Sequence, residues 1–369
     1  MIECDVLVVG AGAAGAVCSL KLALEEFKVL IIEKEARFGG HTKPKIDVTE
    51  DKGVDEIMKE LNLPILMKTN KSKWFSRNHS FDLESEVSDL YFKRGPSEDS
   101  LESHTLGSCL DAGAQILFNA QPVKFKFKEK NIEEVRVKVK GKSRVIKPKI
   151  IVGADGFNST IFKLGKFSIE KEIASFSAYG TLGKGFDMPP GITYILFDNE
   201  YAPGGYMYMG KTNEDEGVAC IVVEEHLISK RSKVYFQKFI EKNENIKMIL
   251  AKSKLGNEFG GRGIASVMKT RVKNNILLIG EAGRVLDPVF GYGMRNTLVS
   301  SYTGAEVISK ALDKHNLGLL REYDIKLKPM VTKIEESAKR RDSLRQISNQ
   351  EYDEIIQTDK IMEYIQDVH

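Results

Sequence analysis

The chain is poor in the residues that would assign it to several large classes. Only 4 of its 369 residues are cysteine, and Cys4, Cys18, Cys109 and Cys220 are far apart with no C-x-x-C. That spacing excludes a disulfide framework and a thiolate zinc site, and reads as reduced thiols in a reducing compartment. The 6 histidines, His41, His79, His104, His226, His315 and His369, lack metal-ligand spacing, so no metal is expected. A net charge of only +3, from 55 basic against 52 acidic groups, provides no global field for nucleic acid. No run of about eighteen apolar residues occurs, so no segment is expected to span a membrane. The N-terminus has no basic leader region and carries Glu3 and Asp5, which opposes a signal peptide and leaves the cytoplasm as the expected location.

What is present is concentrated at the start. Asp5 to Val9 is a short apolar run ending in glycine, the pattern of a parallel strand buried on both faces. Gly10, Gly12 and Gly15 follow in G-x-G-x-x-G spacing and open a helix over Ala16 to Leu24. Val29 to Ile32 is the next strand, and Glu33 stands at its end. The first two glycines let backbone amides approach a pyrophosphate, the third lets helix pack on strand, and the helix N-terminus adds positive partial charge. An acid in the position of Glu33 binds a ribose hydroxyl and disfavours a 2′-phosphate, so the motif points to FAD or NAD rather than NADP.

Farther along, helices are predicted over Val54 to Leu61 and Ser100 to Ala112, and strands over Trp74 to Phe81, Tyr91 to Arg94 and Ala114 to Phe118. Alternating Val123–Lys128 and Val135–Lys140 predict antiparallel strands with a wet, lysine-lined face. Lys149 to Gly153 is another buried strand, running into the turn Ala154-Asp155-Gly156. From Ala174 to about Gly263 the sequence becomes strand-like and rich in tyrosine, phenylalanine and glycine, with one helix near Ser232 to Asn243. Asn275 to Gly280 restores the buried-strand pattern and leads through Glu281 and Gly291-Tyr-Gly293-Met294 into a helix ending near Leu312. From Leu319 the chain is helical and charged, with the spacing of a solvated face.

Taken together, the glycine motif with Glu33, Arg94 before a helix, the Asp155-Gly156 turn and the Gly280-to-Met294 stretch resemble FAD-dependent oxidoreductases of the para-hydroxybenzoate hydroxylase type of fold. Within that group, Leu278-Ile-Gly280-Glu281-Ala with Pro288-Val-Phe-Gly291-Tyr-Gly293-Met294, and Ala202-Pro-Gly-Gly-Tyr206, are most similar to the geranylgeranyl reductase family. The resemblance implies an α/β fold: a Rossmann-like FAD domain from residues 1–70, 94–165 and 265–315, an inserted, mainly antiparallel β substrate lobe from 71–93 and 166–264, and a helical C-terminal region over 316–369. It implies that Gly10, Gly12, Ala13, Ala14, Gly15, Glu33, Lys34 and Gly40 hold the ADP half of non-covalent FAD, and that Arg94 reaches its ribityl or pyrophosphate region. Asp155 and Gly156 would approach the cofactor and Glu281 would bind a ribityl hydroxyl. Gly291, Gly293 and Met294 would face the flavin N1–C2=O edge, where amide dipoles stabilise the reduced form.

The activity so implied is reduction of carbon–carbon double bonds in an isoprenoid chain, with an external donor such as NAD(P)H or a ferredoxin. A flavin monooxygenase and a flavin-binding electron carrier without turnover are the alternatives. The chain departs from the family at Glu281, where aspartate is usual, at Phe162, where the Asp-Gly motif often ends in arginine, in the Tyr206–Lys211 segment, and at Gly39-Gly40-His41, where the reductases often carry cysteine. For the proton donor the candidates are His41, which is otherwise a solvent-exposed polar residue, and Tyr206 and Tyr208, two apart on one face of a strand. Arg284 and Arg295 flank the last helix with no assigned role. A lipid substrate implies weak association with membrane surfaces, for which the candidate contacts are Trp74–Phe81 and the run Lys339-Arg340-Arg341.

Overall fold

The computed structural model describes residues 1–289, 291, 293–344 and 347–358 and contains two large sheets. The first is built on β1 (Ile2–Val9), which pairs in parallel with β2 (Val29–Ile32) on one side and with β9 (Lys142–Gly153) on the other. β6 (Gln115–Leu117) extends it beyond β2, and β16 (Ile276–Leu278) with β15 (Val272–Lys273) extends it beyond β9. The N-terminal half of β9 continues into an antiparallel meander with β7 (Ala120–Lys128) and β8 (Asn131–Val139). β1 is apolar on both faces because helices α1 (Ala13–Leu24), α3 (Leu101–Asp111) and α7 (Met294–Asp313) cover one side and the meander covers the other.

The second sheet runs in the order β14-β10-β13-β12-β11-β4-β5-β3. Its strands are β3 (Lys45–Glu50), β4 (Met67–Phe75), β5 (Ser80–Arg94), β10 (Lys171–Lys184), β11 (Thr193–Leu196), β12 (Tyr206–Lys211), β13 (Glu216–Glu224) and β14 (Lys254–Val267). All its pairings are antiparallel except β11 with β4. Helix α2 (Asp55–Glu60) connects β3 to β4, α4 (Thr160–Leu164) follows the Asp155 turn, and α5 (Ser232–Lys242) with α6 (Glu244–Leu250) covers the outer face of the sheet.

Two expectations shift. β3 and the start of β4, placed by sequence in the first domain, hydrogen-bond into the second sheet, because the 15-residue β5 offers a full partner edge to both. The C-terminal helices α8 (Glu322–Leu344) and α9 (Asn349–Gln357) are not a solvated appendage. Ile347, Tyr352 and Ile356 join the core of the second sheet, where Tyr352 stacks on Phe197 at 5.1 Å and Phe197 on Trp74 at 5.6 Å. Asp353 accepts hydrogen bonds from Ser76 Oγ and from the Asn78 amide, and Asn349 donates to Asp198, so polar contacts fasten α9 at its first residue and its midpoint. The charge pattern of this region conceals the apolar stripe because lysine and glutamate stems occupy the positions between.

Candidate functional site

Between the two sheets lies one cavity of about 740 Å³. Its first end is the glycine turn. Gly10 takes φ +105°, which only glycine adopts without strain, and its amide donates to the Ile32 carbonyl. A Cβ on Gly15 would stand 1.9 Å from the Gly10 carbonyl oxygen, so helix α1 can pack here only through glycine. Gly12 is the reverse case, since a Cβ there would meet nothing within 4 Å and would project into the cavity. No side chain caps α1 at Gly12, which leaves its first amides facing the opening. Glu33 is buried; one oxygen accepts from the Ala11 amide at 2.8 Å and the other from Glu35 at 2.9 Å, fixing the carboxylate with lone pairs to spare. Ala13, Ala14, Lys34 and Gly40 line the same end.

Farther in, two side chains have protein partners that the sequence did not show. Arg94 lines the cavity, but its guanidinium is held by Glu102 at 2.7 Å, Asp47 at 2.6 Å and the Met294 sulfur at 2.9 Å. Glu102 lies in the first turn of α3 and is fully buried, so Arg94 neutralises it and ties β3, β5, α3 and α7 together. Asp155 also borders the cavity, yet its carboxylate accepts from Ser159 Oγ and from the Thr160 and Ile161 amides, capping α4. Burial raises its pKa, and the Ser159 and amide hydrogen bonds only partly oppose this. Gly156, at φ +75°, presents backbone to the cavity. Glu281 is the contrasting acid. Among the described residues no donor reaches its carboxylate, and burial raises its pKa against the pull of Lys45, Arg94 and Arg284. An unpartnered carboxyl on the wall is an acceptor for a ligand hydroxyl. Gly291, Gly293 and Met294 complete this section, while Phe290 and Tyr292 lie outside the described residues.

The third section is the inner face of the second sheet. Phe176, Ala178, Thr193, Tyr206, Tyr208, Cys220, Val222 and Phe259 form an apolar floor with a few hydroxyls. Tyr206 and Tyr208 are brought together here, as their spacing predicts, whereas His41 is on the exposed rim beside the glycine turn. Tyr208 donates a long hydrogen bond of 3.4 Å to the Ile46 carbonyl, and burial raises its pKa well above 10, with Cys220 and Asp47 adding to the shift. Cys220 stands cross-strand from Tyr208, its thiol pushed up to about 12 by burial. Thr193 Oγ1 donates to Asp89 at 2.7 Å and lies 2.7 Å from the buried Tyr91 hydroxyl.

The outer wall was not foreseen. Met330, Lys333, Ile334 and Ser337 of α8 line the cavity at i, i+3, i+4 and i+7, a single helical stripe. One turn later Arg341, expected on the surface, is 3 % exposed. It stacks over Phe176 at 5.1 Å and donates to Val289 O, Gly204 O and Glu224. Trp74 is likewise buried, so neither residue is available to a lipid surface; the side chains of Arg340 and Asp342 lie outside the described residues.

An alanine-and-glycine cradle at an uncapped helix start, a fixed acid at the end of β2 and a free carboxyl farther in are what a flavin dinucleotide requires of its pocket. The chain belongs to the family defined by the FAD binding domain, whose model matches residues 3–338, and its cofactor is FAD. Within that family it is a FAD-dependent oxidoreductase. It is 25% identical over 329 residues to the digeranylgeranylglycerophospholipid reductase of Methanosarcina acetivorans, covering 85% of this chain and 77% of the relative. With the enzyme of that name from Methanocaldococcus jannaschii it shares 24% over 340 residues, covering 87% and 81%. The fold matches the crystal structure of a geranylgeranyl bacteriochlorophyll reductase-like protein from Thermoplasma acidophilum with a TM-score of 0.82 at 20% identity, covering 97% of this chain and 91% of that one. It also matches a probable FAD-dependent monooxygenase, pqsL from Pseudomonas aeruginosa, with a TM-score of 0.72 at 17% identity, covering 96% and 99%. Among the described residues no helix is long and apolar enough to cross a membrane.

Proposed function

We propose that the protein reduces carbon–carbon double bonds of an isoprenoid lipid chain. The carrying observation is the continuity of one cavity from the glycine turn to the apolar floor of the second sheet, which leaves room for a long apolar substrate beside the glycine turn. FAD, when bound and reduced, supplies the hydride that goes to one alkene carbon. The other carbon needs a proton, and we assign its delivery to Tyr208. Its hydroxyl stays protonated across the neutral range and is part of the floor on which the chain would lie. An unactivated alkene is a poor electrophile, so Phe176, Val222, Phe259 and Ile334 serve by aligning the chain and excluding water.

In this reading Gly10, Gly12, Ala13, Ala14, Glu33, Lys34 and Gly40 hold the ADP half, Glu281 takes a ribityl hydroxyl, and Arg94 acts through Asp47 and Met294 rather than on phosphate. The electron donor is external, NAD(P)H or a ferredoxin, and the lipid is met at a membrane surface. The test is anaerobic incubation of dithionite-reduced holoprotein with a geranylgeranyl glycerolipid, followed by mass spectrometry for two added hydrogens per reduced bond. Tyr208→Phe should lower kcat by about 10²–10⁴-fold. A hydroxylated product that requires NAD(P)H and dioxygen would replace this reading with a monooxygenase.

A further inference from the structure

Arg284 closes the 3₁₀ turn Gly280–Gly283 that carries the Glu281 carboxyl, its amide donating to the Glu281 carbonyl at 3.1 Å. Its φ of +57° lies in the left-handed region, and among the described residues it is the one buried non-glycine residue there, the others being exposed. It is 9 % exposed, and its Nε and Nη1 find no hydrogen-bond acceptor among the described residues. The guanidinium lies over the Phe162 ring instead, 5.3 Å from the centroid. Strain and orphaned donors of this kind persist where a function holds them in place. Glu281 is on the cavity wall and Arg284 is not; Glu281 is first among the acids that attract the guanidinium, ahead of the exposed Glu172 of β10. The other charges facing Glu281 are Lys45 and Asp47 of β3 and Arg94 of β5. Both cations are already committed, Lys45 to Asp47 at 2.8 Å and Arg94 to Asp47 at 2.6 Å and Glu102 at 2.7 Å. Asp155, whose turn approaches Glu281 at Gly156, caps α4. That leaves Arg284 as the cation beside Glu281 with no carboxylate of its own among the described residues. A guanidinium keeps its proton at every pH at which a protein folds.

We propose that Arg284 is a positioning residue for the cofactor: seated on Phe162 off the cavity wall, it is the counter-ion that keeps Glu281 an ionised acceptor for a ribityl hydroxyl. This rests on the reading that Glu281 takes that hydroxyl, and adds what sustains its charge. The test is the affinity of the full-length apoprotein for FAD, read by flavin fluorescence across pH. Wild-type affinity should rise with pH as Glu281 ionises, and Arg284→Gln should move that rise to higher pH. Near neutrality the variant should bind FAD about tenfold more weakly, the difference between a hydrogen bond to a carboxylate and one to a neutral group. Arg284→Lys keeps a cation and should restore most of the wild-type profile. Phe162→Leu removes the ring that draws the guanidinium away, so the rise should move the opposite way, to lower pH. Glu281→Gln should flatten the rise, with or without Arg284→Gln. A loss in Arg284→Gln that is equal at every pH, with the rise unmoved and Arg284→Lys no better, makes Arg284 a packing residue and overturns the proposal. If Arg284→Gln does not fold, an unmoved rise in Phe162→Leu overturns it alone. Full affinity and an unaltered rise in Glu281→Gln overturn the ribityl reading itself, whereas a flat Glu281→Gln profile beside an unmoved Arg284→Gln one overturns only the counter-ion.

Discussion

Arg341 and Glu224, 117 residues apart in sequence, form a buried ion pair with the guanidinium 3 % exposed and the carboxylate 0 % exposed. The same guanidinium holds the Val289 and Gly204 carbonyls, so one side chain joins α8, the loop that leads to α7 and the turn before β12. Breaking such a pair leaves an uncompensated charge in the interior, at a cost of about 3–5 kcal/mol. Arg341→Met should lower the denaturation midpoint accordingly, and Glu224→Gln added to it should recover much of the loss. Chemical unfolding followed by circular dichroism measures both.

Gly12 and Gly15 should separate binding from folding. Gly12→Val adds bulk only to the cavity, so the protein should fold with an unchanged far-ultraviolet spectrum and purify without yellow colour. Gly15→Ala drives a methyl into the Gly10 carbonyl and should reduce soluble yield and melting temperature whether or not FAD is supplied. Retained flavin in folded Gly12→Val would remove the ADP half from this turn.

Glu281 should be costly to the apoprotein. Burial raises its folded pKa above its ordinary value of 4.5, so the stability it contributes is complete only below that value and is lost as pH rises through the folded pKa. Glu281→Gln should therefore melt higher than the wild-type apoprotein at neutral pH, with the gap closing as pH falls toward the unfolded value. Its FAD affinity should drop, since an amide is a weaker acceptor for a hydroxyl. Calorimetry across pH and flavin titration read the two effects separately.

The four cysteines are buried, and burial pushes the thiols of Cys4, Cys18 and Cys220 up to about 12. The native protein should then yield no fast reaction with Ellman's reagent at mildly alkaline pH, and all four thiols should titrate in denaturant. Rapid modification of the native protein would show that the cavity opens to Cys220.

Much of this was legible in the sequence wherever the backbone itself makes the site. The turn from Gly10 to Gly15 and the strand ending at Glu33 were readable because their geometry tolerates few residue types. The pairing of Tyr206 with Tyr208 followed from the two-residue strand period. What could not be read was the second partner of a charged side chain. Arg94 falls to Asp47 and Glu102, and Asp155 to the amides of α4, because of contacts that only the folded chain brings together. The α8 stripe had a signal, Met330-x-x-Lys333-Ile334-x-x-Ser337, but a stripe holding lysine and serine resembles a solvated face until the cavity it borders is known.

The use of α8 as the outer wall also has a consequence for biosynthesis. A nascent chain still lacking α8 can already pair β1 with β2, β9 and β16 and so form the glycine turn. The groove over the second sheet would stay open on one side until Arg341 has cleared the ribosome and reached Glu224. Flavin thus has a seat before the cavity has its outer wall, and the order of translation itself favours cofactor loading ahead of closure.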